Sequence, residues 1–215
     1  MKTPSDFPFS NEKKKTNLEL YRIKQNLKSV MVTSSEDNTG KSTVAAKLAI
    51  NDCRNDRKIL LIDCDFQEPS QHSLFGVQDN PGFFDVIDNS SLQLSKVIQR
   101  PESFMDKPVD FLDTDYPDIL TIGSLPKYPL DQLNSQSGQA LLQQLSQKYH
   151  TIVIDAPCVY EETDLSTFAS YLEGIVLVVS SQEASSNSED DESKEDDTQN
   201  QLDKLQGKVL GVVFN

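Results

Sequence analysis

Residues 31–43 read MVTSSEDNTGKST, an apolar run, a polar turn and then Gly-Lys-Ser-Thr at the start of an alanine-rich stretch. These residue types in this order suit phosphate binding. A turn between a strand and a helix offers backbone N–H groups to an anion, and the helix N-terminus adds its dipole. Asp37, Asn38 and Thr39 would form the wall of that turn. Gly40 would let the main chain approach the phosphates, Lys41 would set a cation against them, and the hydroxyl of Ser42, next to Thr43, would ligate Mg²⁺. The full G-x-x-x-x-G-K-[ST] pattern is not met, because Ser35 stands at its first glycine. A helix that merely starts with Gly-Lys-Ser is the plainer alternative, but a strand before it and a helix after it favour a P-loop for ATP and Mg²⁺. Carboxylates end two other apolar runs: Asp63 and Asp65 in KILLIDCDF (58–66) and Asp155 in TIVIDAPC (151–158). A carboxylate at the tip of an apolar strand is costly unless paired, hydrated or metal-bound. Three of them meeting a phosphate-binding turn would form a metal–triphosphate site.

The elements that must hold these groups alternate. Apolar runs at 29–34, 58–63, 118–123, 151–156, 174–180 and 208–214 predict strands, with helices expected at 41–53 and 135–148. The runs are continuous rather than alternating, as in parallel strands covered on both faces. The expected fold is therefore α/β, a doubly wound, mostly parallel sheet with right-handed crossovers and its ligand at the carboxyl ends of the strands. Residues 1–16 read as a polar, flexible arm, and NLELYRIKQNL (17–27) as a short amphipathic helix. Residues 17–215 would form one domain, interrupted at 182–200 by an acidic, low-complexity insertion.

Composition narrows the function classes. The net charge is −14 at pH 7, and Glu183–Asp197 alone holds eight acids and one lysine. A broadly basic nucleic-acid surface is excluded on these terms. The cysteines, Cys53, Cys64 and Cys158, have no metal-ligand spacing and read as buried free thiols of a reducing compartment. No run is apolar and long enough to span a bilayer, so a cytoplasmic location is expected.

With those residues in place, the chain resembles the bacterial tyrosine kinases of capsule and exopolysaccharide operons, the CpsD/CapB group among the MinD- and ParA-like ATPases. VTSSEDNTGKST resembles the group's Walker A, LLIDCDFQEPSQHSLFG its second acidic motif, GSLPKYPLDQLNSQ its proline stretch, and YHTIVIDAPCVYEETDLS its Walker B strand and loop. The resemblance implies an ATP-dependent protein-tyrosine kinase controlling polysaccharide export. Asp63 would act as base toward the tyrosine hydroxyl, Asp65 and Asp155 would organise Mg²⁺ with Ser42, and Asn215 would lie near the adenine. It also implies tyrosine-bearing protein substrates and an activating, membrane-embedded chain-length regulator that recruits the chain to the inner face of the membrane. A homo-oligomer is implied as well, although Gln25 replaces an arginine of the ring-forming helix while Glu19 and Arg22 match it. Other departures are Asp37 and Asn38 in place of Pro-Gly, Gln67 in place of an arginine, and no tyrosine cluster before Asn215. Two alternatives remain: a regulatory subunit that binds nucleotide without kinase activity, and a MinD- or ParA-like positioning ATPase.

Overall fold

The computed structural model describes residues 27–53, 57–104, 116–159, 165–180, 205 and 208–214. The expected arm, nearly all of the 17–27 helix, residues 160–164 of the loop after the expected Walker B strand, the acidic insertion and Asn215 lie outside the described residues.

Six strands form one parallel sheet: β1 (Ser29–Ser34), β2 (Ile59–Asp63), β3 (Asp118–Leu120), β4 (Thr151–Asp155), β5 (Gly174–Val179) and β6 (Val209–Phe214), in the order β3-β2-β4-β1-β5-β6. Because side chains alternate along a strand, each continuous apolar run supplies two faces. Val30, Val32, Ile59, Leu61, Val153 and Val176 turn to one side, where they pack against Val44, Ala45, Leu48 and Ala49 of α1 (Lys41–Cys53). Met31, Leu60, Ile62, Ile152, Ile154 and Ile175 turn to the other, against Phe83, Phe84, Leu133, Leu142, Leu145 and Phe168. The alanines of α1 let that helix sit close over β1, β2 and β4. Both faces of the sheet are thus covered, which is why no strand shows a polar alternation.

The predicted strands agree with the observed ones to within a few residues. The largest difference is β3, expected to reach Gly123 but ending at Leu120. Beyond it the carbonyls of Thr121 and Ile122 accept the amides of Phe83 (2.7 Å) and Phe84 (3.0 Å), so the chain leaves the ladder to hold another element. The 135–148 helix appears as α7 (Gln136–Ser146), with the Ser135 hydroxyl capping it by accepting the Gly138 amide. Six short helices were not anticipated: α2 (Gln71–Phe75), α3 (Phe83–Asp88), α4 (Leu94–Val97), α5 (Pro101–Phe104), α6 (Pro129–Leu133) and α8 (Ser166–Ser170). All three cysteines are buried and free, as read from their spacing. Among the described residues no helix is long and apolar enough to cross a membrane.

Candidate functional site

The parallel arrangement brings the carboxyl ends of β1, β2 and β4 to one edge, where Val32 registers with Asp155, and Asp155 with Asp63. The turn that follows β1 rises from this edge. Asn38 (φ 57°) and Gly40 (φ 81°) both adopt the left-handed region, a conformation that Gly takes freely and Asn tolerates better than most residues. Two such residues in a short loop curl the backbone back toward α1, whose first helical bond runs from the Val44 amide to the Gly40 carbonyl (3.0 Å). Asp37 and Asn38 are exposed at the tip, Thr39 is buried below them, and Ser42 and Thr43 are half-buried at the helix start.

Lys41 is buried, and its Nζ lies 2.6 Å from Asp65 Oδ2, itself fully buried. Burial alone would lower the Lys41 pKa. The hydrogen bond and charge of Asp65, aided by Cys158 and Asp155, outweigh it and leave the ammonium raised. Asp65 Oδ1 accepts the Gln67 and Glu68 amides, both at 3.1 Å, so this carboxylate also shapes the loop after β2.

Asp63 has no exposed surface. Its Oδ1 accepts the Asp65 amide (3.1 Å), and its Oδ2 accepts the Ser70 and Gln71 amides (3.0 and 2.9 Å), which anchors the start of α2. Burial, then the neighbouring Asp155 charge, hold Asp63 above the ordinary carboxylate range against the pull of those amides.

Asp155 is equally buried. Its Oδ2 accepts the Gln71 Nε2 amide at 2.7 Å, and the same Nε2 donates to the Ser42 carbonyl at 3.0 Å. Its Oδ1 is buried with no hydrogen-bond partner among the described residues. Burial pushes the Asp155 pKa up to about 7, with Asp65 adding to the rise and Gln71, Ser42 and Lys41 opposing it.

Lys41, Ser42, Asp63, Asp65 and Asp155, expected from the sequence at one edge, are found there. Two features carry no sequence signal: Gln71, which ties β4 to α1, and a strap around the loop that follows β1. The strap is the segment after β4, which returns to β1: the Thr33 hydroxyl donates to the Pro157 carbonyl (2.7 Å) and the Val159 amide to the Ser34 carbonyl (2.9 Å). The Cys158 amide donates to Gln67 Oε1 (2.9 Å), and its thiol lies 3.1 Å from both the Ser34 hydroxyl and the Glu36 carbonyl. Burial pushes that thiol up to about 11, so it packs and donates rather than reacts.

No group of three or more His, Cys, Asp or Glu among the described residues is arranged to hold a metal ion by itself. Mg²⁺ does not require one, since it keeps several waters and is commonly shared between one or two carboxylates and a substrate phosphate. The unpartnered, buried Asp155 Oδ1 beside the Ser42 turn fits such a cation, because a buried carboxylate oxygen with no donor is costly unless charge arrives to meet it.

The model of the CobQ/CobB/MinD/ParA nucleotide binding domain matches residues 30–215. The tyrosine-protein kinase YwqD of Bacillus subtilis (strain 168) is 28% identical over 201 residues, covering 94% of this chain and 77% of the relative. Among solved structures, the chimerical protein CapA2B2 superposes with a TM-score of 0.75 at 28% identity, covering 93% of this chain and 80% of that one. The kinase domain of VpsO gives 0.74 at 27% identity, covering 92% and 89%.

Proposed function

Because the chain belongs to the CobQ/CobB/MinD/ParA nucleotide-binding domain family, we propose that it is an ATP-dependent protein-tyrosine kinase of capsular or exopolysaccharide synthesis. The observation that carries the reading is the meeting of Lys41, Asp65, Asp155 and the start of α1 at one edge of the sheet. The likeness to a named tyrosine kinase over most of both chains supports the choice of acceptor.

In this proposal the amides of residues 37–40 and the first turn of α1 bind the phosphates. Lys41 exchanges its Asp65 partner for a phosphate oxygen, keeping its charge compensated throughout. Ser42, Asp65 and Asp155 would hold Mg²⁺, which would supply charge neutralisation for the phosphoryl group. The protein's own contribution is then positioning and electrostatics, with little covalent chemistry asked of it. Asp63 would take the tyrosine proton, and its raised pKa suits a base. Base action requires loop 66–70 to open, because three backbone amides and complete burial seal the carboxylate as it stands. That sealing favours a second reading, a nucleotide-binding regulatory subunit without kinase activity. Asn215 near the adenine, a membrane-embedded regulator as activating partner, recruitment from the cytoplasm to the membrane, and oligomerisation belong to the same proposal.

The test is transfer of labelled γ-phosphate from ATP–Mg²⁺ to a tyrosine peptide and to a cytosolic regulator tail. Phosphotyrosine from the parent chain, lost in a folded Lys41→Met variant, is the expected result. ATP binding with no transfer under any condition would favour the regulatory subunit, and hydrolysis without phosphotyrosine a positioning ATPase.

A further inference from the structure

Gln71 lies in the first turn of α2, fully buried, with its main chain clamped by Asp63 and its side chain reaching two other elements. Its two contacts, the Ser42 carbonyl and Asp155 Oδ2, are both acceptors, so the NH₂ end of the amide must face them. The opposite end, Oε1, is then left buried with no hydrogen-bond partner among the described residues, as is Asp155 Oδ1. These two oxygens, on residues already bonded to each other, offer unmet acceptor capacity at one place, where a proton or a positive charge would be favourable. A hydrated cation would satisfy both, offering charge to the carboxylate oxygen and a water proton to the amide oxygen.

We infer that Gln71 is a positioning residue for the metal-binding half of the nucleotide site: it fixes the Asp155 carboxylate against the start of α1 and leaves Asp155 Oδ1 and its own Oε1 open to a hydrated divalent cation. The inference rests on the nucleotide reading above. The neutral amide is the chemistry the place requires. A carboxylate there would repel Asp155, and an ammonium would neutralise Asp155 and compete with the cation. The clamp from Asp63 to the Ser70 and Gln71 amides supplies rigidity, so the tie to α1 is set by β2 rather than by the loop tip.

Fluorescent ATP-analogue titrations with excess Mg²⁺ and with EDTA test this, using the parent chain, Gln71→Met (similar in size, no donor) and Gln71→Asn (an amide too short to reach both acceptors). Affinity with Mg²⁺ should fall roughly ten- to hundredfold in Gln71→Met, the scale of a hydrogen bond to a charged group. Affinity in EDTA should stay within about twofold, so the Mg²⁺ dependence itself shrinks. An equal loss in both conditions would mean that Gln71 only shapes the loop, and unchanged binding would mean that it does neither; each overturns the inference. If Gln71→Met fails to fold, Gln71→Asn carries the same comparison. A parent chain that binds no nucleotide in either condition would instead refute the nucleotide reading, and the control separates the two failures.

Discussion

Lys41 and Asp65 form a buried ion pair at the start of α1, and the carboxylate has a second task in the turn after β2. Removing either one strands a buried charge, so a Lys41 variant must be judged against its own unfolding curve as well as its activity. Asp155 has no such ion-pair partner among the described residues, and burial holds its carboxyl up at about 7. In the unfolded chain an aspartate titrates near about 4. A carboxyl whose folded pKa is raised opposes folding once it must ionise. The penalty is absent below about pH 4, grows through the interval and is complete above about pH 7. Asp155→Asn keeps an oxygen for the Gln71 amide and removes the charge. Without nucleotide or metal, it should be more stable than the parent at about pH 8 and lose that advantage at about pH 4, measured by urea unfolding. If the parent proved the more stable at the higher pH, the carboxylate would have to be compensated in a way the hydrogen bonds do not supply.

Between elements, the segment after β3 is held by backbone contacts that no short-range pattern announces. Gly82 and Gly123 pack backbone to backbone, and a Cβ on Gly82 would fall 2.3 Å from the Gly123 nitrogen and 2.4 Å from the Thr121 carbonyl oxygen. Asp85 Oδ2 staples the junction by accepting the Gly82 amide (2.7 Å) and the Ser124 amide (3.0 Å). Burial would raise the Asp85 pKa, but Gly82 and Ser124 outweigh it and leave the group lowered. Gly82→Ala should therefore cost about 2 kcal/mol in urea unfolding by forcing α3 away from residues 121–123. A cost below about 0.5 kcal/mol would show that the junction yields freely. The same contrast explains what was legible in advance. Six strands could be read because each is a continuous apolar run with its own local signal, and α7 because Leu141, Leu142 and Leu145 recur at helical spacing. The short helices could not: α3 is fixed by the Thr121 carbonyl of a later segment, and α2 by the Asp63 carboxylate eight residues before Gln71, a tie that shows only once that side chain is known to be buried. In the site, Lys41 and the aspartates stood out because charge at the end of an apolar run is anomalous. Gln71 did not, because a neutral amide in a polar loop looks ordinary until its bond to Asp155, 84 residues away, is known.

Across the whole molecule, the site is assembled from the ends of three central strands and the helix they support, so ligand binding reports on global folding rather than on one loop. β1 and β4 occupy the middle of the sheet, and α1 packs on β1, β2 and β4 together. Opening the edge enough to lose the phosphate turn, Asp65 and Asp155 at once therefore means dismantling the core beneath them. A ligand that binds only this assembled edge adds its full linkage energy to unfolding. At about one hundred times its dissociation constant that is about 2.7 kcal/mol. For a domain of this size each kcal/mol moves the melting temperature by roughly 2–4 °C. Saturating ATP–Mg²⁺ should accordingly raise the transition by roughly 5–10 °C in a thermal scan, as one cooperative step. The acidic surface sharpens the test: with a net charge of −14, nonspecific attraction of a polyanion is opposed, so a rise must come from the built site. A folded Lys41→Met variant, lacking the cation that faces the phosphates, should show little of it. Equal shifts in parent and variant would place the nucleotide somewhere other than the edge formed by β1, β2 and β4.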